Sequence, residues 1–286
     1  MSKTLGFFLL TTLLFTLACR DFQREIEIDL PEYTPEYVVE AYLEPGEPFR
    51  LLLTKSDAFF APFQLDNEQF IENLLVAEAD VIIRHDGKET VIPNRAEFDF
   101  QTGKLYNYTT TFETDTVPEN YTDPFELEIR TQDGTTLTAT TTLLRPVPID
   151  SIVVEFDGNA PEDTLARALL YFSDDTGTDN WYRRQLHEVA LDSIAEQDFV
   201  TPDEIVGGDG TVVFGTGFDF AEGDTVINTL YHLDRAYYDF LLSVDNAESS
   251  NGNPFGTPGV ILGNVEGGIG IFTGLSYDRV MTIVER

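Results

Sequence analysis

The stretch ADVIIRHDGKETVI, Ala79–Ile92, has the pattern of a β-hairpin. Two runs rich in β-branched residues, Ala79–His85 and Lys88–Ile92, flank the dipeptide Asp86-Gly87. An Asp-Gly pair between two such runs is the strongest short-range signal for a two-residue hairpin turn. The stretch therefore predicts two antiparallel strands and a β fold around them.

The same signals recur on both sides of this stretch, so residues 36–146 are expected to form one domain. Each further run is short, rich in β-branched or aromatic residues and bounded by turn residues. These runs are YVVEAYL (Tyr37–Leu43), PFRLLLT (Pro48–Thr54), GKLYNYTTTF (Gly103–Phe112), FELEIRT (Phe125–Thr131) and TTLTATTTLL (Thr135–Leu144). Six or seven short strands at regular spacing predict an immunoglobulin-like β-sandwich.

A second domain is expected over residues 147–286. Two prolines in RPVPIDS (Arg145–Ser151) interrupt the strand pattern and mark the boundary. Strand-like runs then resume: SIVVEFD, RALLYFS, NWYRRQLHEV, TVVFGTG and DTVINTLYHL. This region is therefore predicted to be β-rich as well.

One helix is expected in the second domain, near residues 234–245. In the stretch DRAYYDFLLSVDN, Asp234 can cap the helix. Four apolar or aromatic residues follow it at helical spacing: Tyr237, Phe240, Leu241 and Val244. The whole chain is thus predicted to be mostly β with one short helix.

The charge of the chain limits its partners. Asp and Glu number 51 against 17 Lys and Arg, which gives a net charge of −34. Such a surface repels a phosphate backbone, so nucleic acid is not expected as a partner. The excess is consistent with a solvated surface in a salty medium or with cation capture by clustered carboxylates. The acids are spread along the whole chain, which favours the solvated surface.

The N-terminus has the parts of a lipoprotein signal. Leu5–Ala18 is nearly all apolar, follows Lys3 and is too short to span a bilayer comfortably. Ala18-Cys19 resembles a bacterial lipoprotein cleavage site, and Cys19 is the only cysteine in the sequence. We therefore expect a signal peptide over residues 1–18, lipidation of Cys19 and a tether over residues 19–35. Such an anchor would hold the protein at a membrane surface.

With these features, the chain resembles a surface-lipoprotein family of the Bacteroidota, catalogued as domain of unknown function family 4249. The matching pieces follow Cys19 in the expected order: REIEIDLPEYTPEYVVEAYLEPGEPFRLLLTKSDAFF, ADVIIRHDGKETVI, DGTTLTATTTLLRPVPIDSI, DDTGTDNWYRRQL, AYYDFLLSV and NPFGTPGVILGNVEGGIGIF. Members are commonly found beside TonB-dependent outer-membrane transporters that carry a carboxypeptidase-regulatory-like domain. The resemblance implies an accessory lipoprotein of such a transporter, anchored at the outer membrane on its cell-surface or periplasmic face. It implies no reaction and no catalytic residues.

Sequence patterns typical of catalysis or cofactor binding are absent. The chain has no Gly-x-Ser-x-Gly elbow, and His85, His187 and His232 lack metal-ligand spacing. The run GGIGIF (Gly267–Phe272) neither follows a clear parallel strand nor opens a helix, so a dinucleotide loop is not expected. No cofactor is therefore expected.

One loop is a candidate for binding Ca²⁺. SDDTGTDN (Ser173–Asn180) brings Asp174, Asp175 and Asp179 close together, and Ca²⁺ prefers oxygen ligands. The loop lacks the Asp-x-Asp-x-Asp-Gly order and the distal Glu of a helix-loop-helix site. A turn before the strand at Trp181 is therefore favoured, with calcium binding as the alternative.

Six aromatic residues beside turn or polar residues are candidate contacts with a partner or ligand: Phe59, Phe60, Phe63, Trp181, Tyr182 and Tyr238. Exposed aromatic patches serve as contact sites. The alternative is that these side chains close the ends of the two β cores. Tyr238 lies next to the buried face of the predicted helix and is expected to point outward.

These observations predict a non-catalytic, lipid-anchored accessory protein that partners a TonB-dependent transporter in ligand capture or capping. A surface adhesion or glycan-binding module is the alternative. A surface hydrolase is disfavoured, because the sequence shows no nucleophile or metal motif.

Overall fold

Sixteen β-strands and one α-helix form the regular structure of the residues that the computed structural model describes, which are 34–56, 74–100, 102–158, 164–191, 195–202, 210–250 and 259–286. The strands are β1 (Tyr37–Leu43), β2 (Arg50–Lys55), β3 (Ala79–His85), β4 (Lys88–Ile92), β5 (Asn94–Asp99), β6 (Lys104–Thr109), β7 (Phe125–Thr131), β8 (Thr136–Thr141), β9 (Ile149–Phe156), β10 (Ala166–Ser173), β11 (Trp181–Glu188), β12 (Gln197–Pro202), β13 (Thr211–Gly215), β14 (Thr225–Leu233), β15 (Ile269–Gly274) and β16 (Ser276–Ile283). The helix, α1, is Arg235–Ser250. The prediction of a mostly β fold with one helix is confirmed.

Two sheets face each other and form a first sandwich. Sheet I has the strand order β4-β3-β7-β8, and sheet II has the order β15-β1-β2-β6-β5. Fully buried side chains from both sheets meet between them, among them Val39 and Leu53 of sheet II and Val81 and Ile129 of sheet I. Alternation along each strand turns one set of apolar residues toward this core. The immunoglobulin-like character of the sandwich stays a prediction.

The hairpin predicted at Ala79–Ile92 is confirmed. β3 and β4 pair antiparallel down to His85 opposite Lys88, which leaves Asp86 and Gly87 as a two-residue turn. Both turn residues have positive φ, 46° and 72°. Positive φ at both positions is typical of a type I′ turn, whose twist matches that of the flanking strands.

A strand from the far end of the chain completes sheet II. β15 pairs parallel with β1, from Val38 opposite Ile269 to Leu43 opposite Gly274. The residues from 35 to 286 form one compact unit. The predicted domain border between residues 146 and 147 stays a prediction. With a border there, β15 of the second domain lies in the same sheet as β1 of the first.

The remaining strands form a second pair of sheets. Sheet III has the order β12-β11-β14-β16, and sheet IV has the order β13-β10-β9. Buried residues of β11 and β14, such as Tyr182 and Leu230, meet Leu170 and Phe172 of β10 between the two sheets. The opposite face of sheet III is thereby left to face sheet II and α1.

Helix α1 packs where sheets II and III approach each other. Its residues Tyr237 and Phe240 are buried together with Tyr42 of β1 and Leu233 of β14. The apolar face predicted for the helix is therefore confirmed, and the helix extends five residues beyond the predicted end at residue 245. In the described part of the chain, no helix has the length and hydropathy needed to cross a bilayer.

Asp234 caps α1 and ties it to both sandwich sheets. Its Oδ1 accepts a hydrogen bond from the backbone N–H of Tyr237 at 2.7 Å. Its Oδ2 accepts one from the Thr273 hydroxyl of sheet II at 2.7 Å and one from the Thr141 hydroxyl of sheet I at 3.3 Å. We expect Asp234→Ala to lower the free energy of unfolding by about 1 to 2 kcal/mol, because it removes the cap and leaves the buried Thr273 hydroxyl without this acceptor. Urea unfolding measures the change.

The matched control for this prediction is Asp239→Ala on the same helix. Asp239 pairs with Arg235 at 2.7 Å on the exposed surface of the helix, and such surface pairs contribute little to stability because water and salt screen them. Equal losses in the two variants would contradict the capping role of Asp234.

Candidate functional site

A cleft of about 650 Å³ lies between sheet II, sheet III and α1. Its floor is one face of sheet III. The side chains of β11 alternate, so that Tyr182 and Leu186 are fully buried toward sheet IV while Arg183, Gln185 and His187 line the cleft. A single strand thus supplies three polar side chains to one surface.

The walls of the cleft come from parts of the chain that are far apart in sequence. Sheet II contributes Glu40 and Tyr42 from β1 and Lys104 and Tyr106 from β6. Helix α1 contributes the apolar side chains of its buried face. The pairing of β1 with β15 and the packing of α1 against both sheets hold these walls in place.

Four tyrosines line the cleft: Tyr42, Tyr106, Tyr231 and Tyr237. Burial raises the pKa of all four phenols, to about 12 for Tyr106 and Tyr237. The phenols therefore stay protonated at neutral pH. Three of the rings are less than 10% exposed, and the hydroxyl groups of Tyr42, Tyr231 and Tyr237 bond to Glu40, Gln185 and Arg183. The tyrosines therefore give the cleft an aromatic lining that can stack against a ligand.

Two of the three cations that line the cleft are paired with carboxylates. The guanidinium of Arg183 donates two hydrogen bonds to Asp198, at 2.7 and 2.6 Å, and a third to the Tyr237 hydroxyl at 3.2 Å. Burial lowers the pKa of Arg183, but the hydrogen bonds and charge of Asp198 outweigh it and leave the pKa raised. Lys104 donates to Glu40 at 2.8 Å.

The third cation, Arg279 of β16, is held differently. Its Nε donates to the Thr229 hydroxyl at 2.9 Å, and its guanidinium carbon lies 4.6 Å from the centre of the Tyr277 ring. Among the described residues, no carboxylate lies within 4.0 Å of its guanidinium. Arg279 is therefore the cation of the cleft that is available to a ligand.

His187 is a buried polar group in the same cleft. It is 8% exposed, and its Nδ1 has no hydrogen-bond partner among the described residues. Burial lowers the pKa of the imidazole, and the charge of Arg279 lowers it further. His187 is therefore neutral at physiological pH.

The aromatic residues predicted as contacts occupy different environments. Trp181 is half-buried beside Tyr238, with ring centres 6.4 Å apart, and Arg235 lies 5.4 Å above its ring. Tyr182 is fully buried and donates to Asp174, so it closes a core and has no surface to offer a partner. Tyr238 is half-buried. Trp181 and Tyr238 pack at the edge of the core shared by sheet II, sheet III and α1.

The loop predicted as a turn or a calcium site has the hydrogen bonds of a turn. Asp175 Oδ1 accepts from the backbone N–H of Gly177 at 3.0 Å, and Asp174 Oδ1 accepts from Asn180 Nδ2 at 3.0 Å. Asp179 is exposed. Within the described ranges, no three His, Cys, Asp or Glu side chains are grouped so that they could hold a metal ion.

Several predicted residues lie outside the described part of the chain. These are Cys19, Phe59, Phe60 and Phe63, together with the signal peptide and nearly all of the tether. Their predicted roles stay predictions.

Sequence reasoning missed the cleft, although one signal for it is present in β11. Arg183, Gln185 and His187 occur at every second position, which places three polar side chains on one face of a strand. Such a face is either solvated or part of a binding site. With its tyrosine rings, hydroxyl groups and charges, the cleft can hold a small polar molecule by hydrogen bonds, ion pairs and stacking.

Comparisons with known proteins place the chain in a family. A family model described as a domain of unknown function, DUF4249, matches residues 23–280. A search of curated protein sequences found no match. Among solved structures, a chain titled "Cytokine receptor complex - Crystal form 2" is 12% identical over 70% of this chain and 92% of that one, and its TM-score of 0.28 is too low to establish a shared fold. Because the family model covers most of its length, the chain belongs to the DUF4249 family, a domain of unknown function.

Proposed function

We propose that this protein is a non-catalytic, lipid-anchored accessory protein of the Bacteroidota outer membrane, which captures a small ligand in its cleft and delivers it to a TonB-dependent transporter. The observation that carries ligand capture is the cleft of about 650 Å³, lined by four tyrosines and three cations. Sites for small molecules are concave and largely apolar or aromatic, with a few placed polar groups. The anchor and the transporter partner are supported by the resemblance drawn from the sequence.

The anchor gives this function a physical basis. Lipidation at Cys19 confines the protein to a membrane surface, which raises its effective concentration beside a transporter in the same membrane. A modest interface is then occupied most of the time. The net charge of −34 opposes collapse of the protein onto anionic headgroups.

Affinity purification from native membranes tests the proposal. A tagged chain is expressed in its own cells, cross-linked and solubilised, and we expect an outer-membrane transporter to co-purify with it. The matched control is Cys19→Ala, which removes the lipid acceptor and is expected to leave the chain in the soluble fraction without a transporter. Isolation of the tagged wild-type chain without a transporter would contradict the proposed partner. Retention of the processed Cys19→Ala chain in the membrane would contradict the proposed lipid anchor.

A further inference from the structure

The charges that line the cleft are the reverse of those on the chain as a whole. Three cations, Lys104, Arg183 and Arg279, face two carboxylates, Glu40 and Asp198, so the lining carries one positive charge in excess with His187 neutral. The chain itself carries −34. At physiological salt, charges more than about 8 Å apart are largely screened, so most acids of the chain do not act on the cleft. Three nearer acids outside the lining, Glu44, Glu196 and Asp99, do act on groups that line it.

Arg279 is held in position while its terminal nitrogens remain free of carboxylates. Its Nε is engaged by Thr229, and its guanidinium stacks over the Tyr277 ring. Contacts of this kind fix the plane of the guanidinium before a ligand arrives, which lowers the entropy cost of binding. The two remaining nitrogens match the two oxygens of a carboxylate, which guanidinium groups bind in a forked pair of hydrogen bonds.

His187 supplies a second, independent sign of a binding site. β11 and β16 flank β14 in sheet III, so His187 and Arg279 lie two strands apart on the same face, about 10 Å across the floor. A buried nitrogen without a partner costs free energy and calls for an explanation, which a ligand bonded to His187 Nδ1 would supply. The cleft therefore contains an imidazole nitrogen without a protein partner and a guanidinium that bonds to the hydroxyl groups of Thr229 and Tyr231 but to no carboxylate of the described residues.

We propose that the ligand of the cleft is a small organic molecule with a carboxylate group, which the guanidinium of Arg279 binds while the tyrosine rings hold the body of the ligand. This inference rests on the proposed function, because it names the chemical class of ligand for the same cleft. Arg183 and Lys104 keep their own carboxylate partners and position the floor and wall around the ligand.

Matched acid and amide probes test the inference on the purified full chain at 0.15 M salt. The probes are benzoate, phenylacetate and 3-phenylpropionate, each compared with its uncharged amide by ligand-observed NMR titration. We expect at least one acid to bind about tenfold more tightly than its amide. Arg279→Gln is expected to abolish that preference, and Arg279→Lys to retain part of it because the charge remains.

The control variant is Arg130→Gln, which makes the same charge change on β7 of sheet I, away from the cleft, and is expected to keep the full preference. The inference is overturned if no acid is preferred over its amide in the wild-type chain, or if the preference survives in a folded Arg279→Gln variant. The wild-type comparison stands even if a variant fails to fold. Recovery of the transporter without any acid preference would overturn this inference alone and leave the proposed function intact.

Discussion

Gly270→Ala is expected to lower the free energy of unfolding by about 3 to 5 kcal/mol. Gly270 lies on β15 with a φ of +127°, a conformation that L residues rarely adopt, and a Cβ added there would lie 1.9 Å from the carbonyl oxygen of Val39 on β1. Both backbones are held in the parallel ladder of sheet II, so neither can move without loss of strand pairing. Urea unfolding followed by circular dichroism measures the change.

Gly46→Ala separates the two causes of this loss. Gly46 also has a positive φ, +87°, but an added Cβ there would meet nothing within 4 Å. This variant is expected to cost only the conformational strain, about 1 to 2 kcal/mol. Equal losses of unfolding free energy in Gly270→Ala and Gly46→Ala would contradict the close approach of β15 to β1 as the cause.

Local sequence patterns are sufficient to predict strands that are bounded by turn residues and expose one face. β1, β3, β4 and β7 begin and end where alternation and Asp-Gly or Pro-Gly turns place them. The edge strands β5 and β12 were not predicted, because their sequences NRAEFD and QDFVTP bury little and lack an apolar pattern. A strand with one free edge needs fewer apolar residues, so its pattern is weaker.

Local sequence patterns do not predict the pairing between strands that are distant in the chain. The glycines of GGIGIF (Gly267–Phe272) show no periodicity that predicts a helix or a strand. The need for glycine in this run is explained only by the pairing of β15 with β1. At Gly270 a side chain would collide with another backbone, so glycine is needed for close approach rather than for a turn. Such a requirement depends on a partner more than 200 residues earlier in the chain, which local patterns do not contain.

The candidate site could not be predicted from local patterns either, because its residues come from distant parts of the chain. Its cations come from β6, β11 and β16, and no local pattern joins Lys104, Arg183 and Arg279. The aromatic hypothesis named both Trp181 and Tyr182 as candidate contacts, but neighbouring residues of a strand point to opposite faces, and only Trp181 retains exposed surface. The alternation of faces needs only the strand assignment, which the sequence does support.

Arg184 and Asn228 form a buried polar pair whose disruption has a large expected effect. Arg184 is fully buried, and its Nε and Nη2 donate to Asn228 Oδ1 at 3.1 and 2.6 Å. Its remaining acceptors, Gln197 and the Gly215 carbonyl, are also neutral. Burial without a nearby carboxylate lowers the pKa of Arg184 to about 10. The charged guanidinium therefore depends on Asn228 for two of its four hydrogen bonds.

Asn228→Leu is expected to lower the free energy of unfolding by about 3 to 5 kcal/mol, because it leaves a buried charge without its main acceptor. Arg184→Met removes the buried charge together with the donor, so its gain in desolvation offsets the orphaned acceptors and its net cost is expected to be about 1 kcal/mol or less. Combining the two replaces the polar pair with apolar side chains and should recover at least half of the loss seen in Asn228→Leu alone. Urea unfolding of the wild type, both single variants and the double variant measures this coupling. If Asn228→Leu were tolerated with Arg184 present, or if the double variant lost the sum of the single effects, the dependence of Arg184 on Asn228 would be refuted.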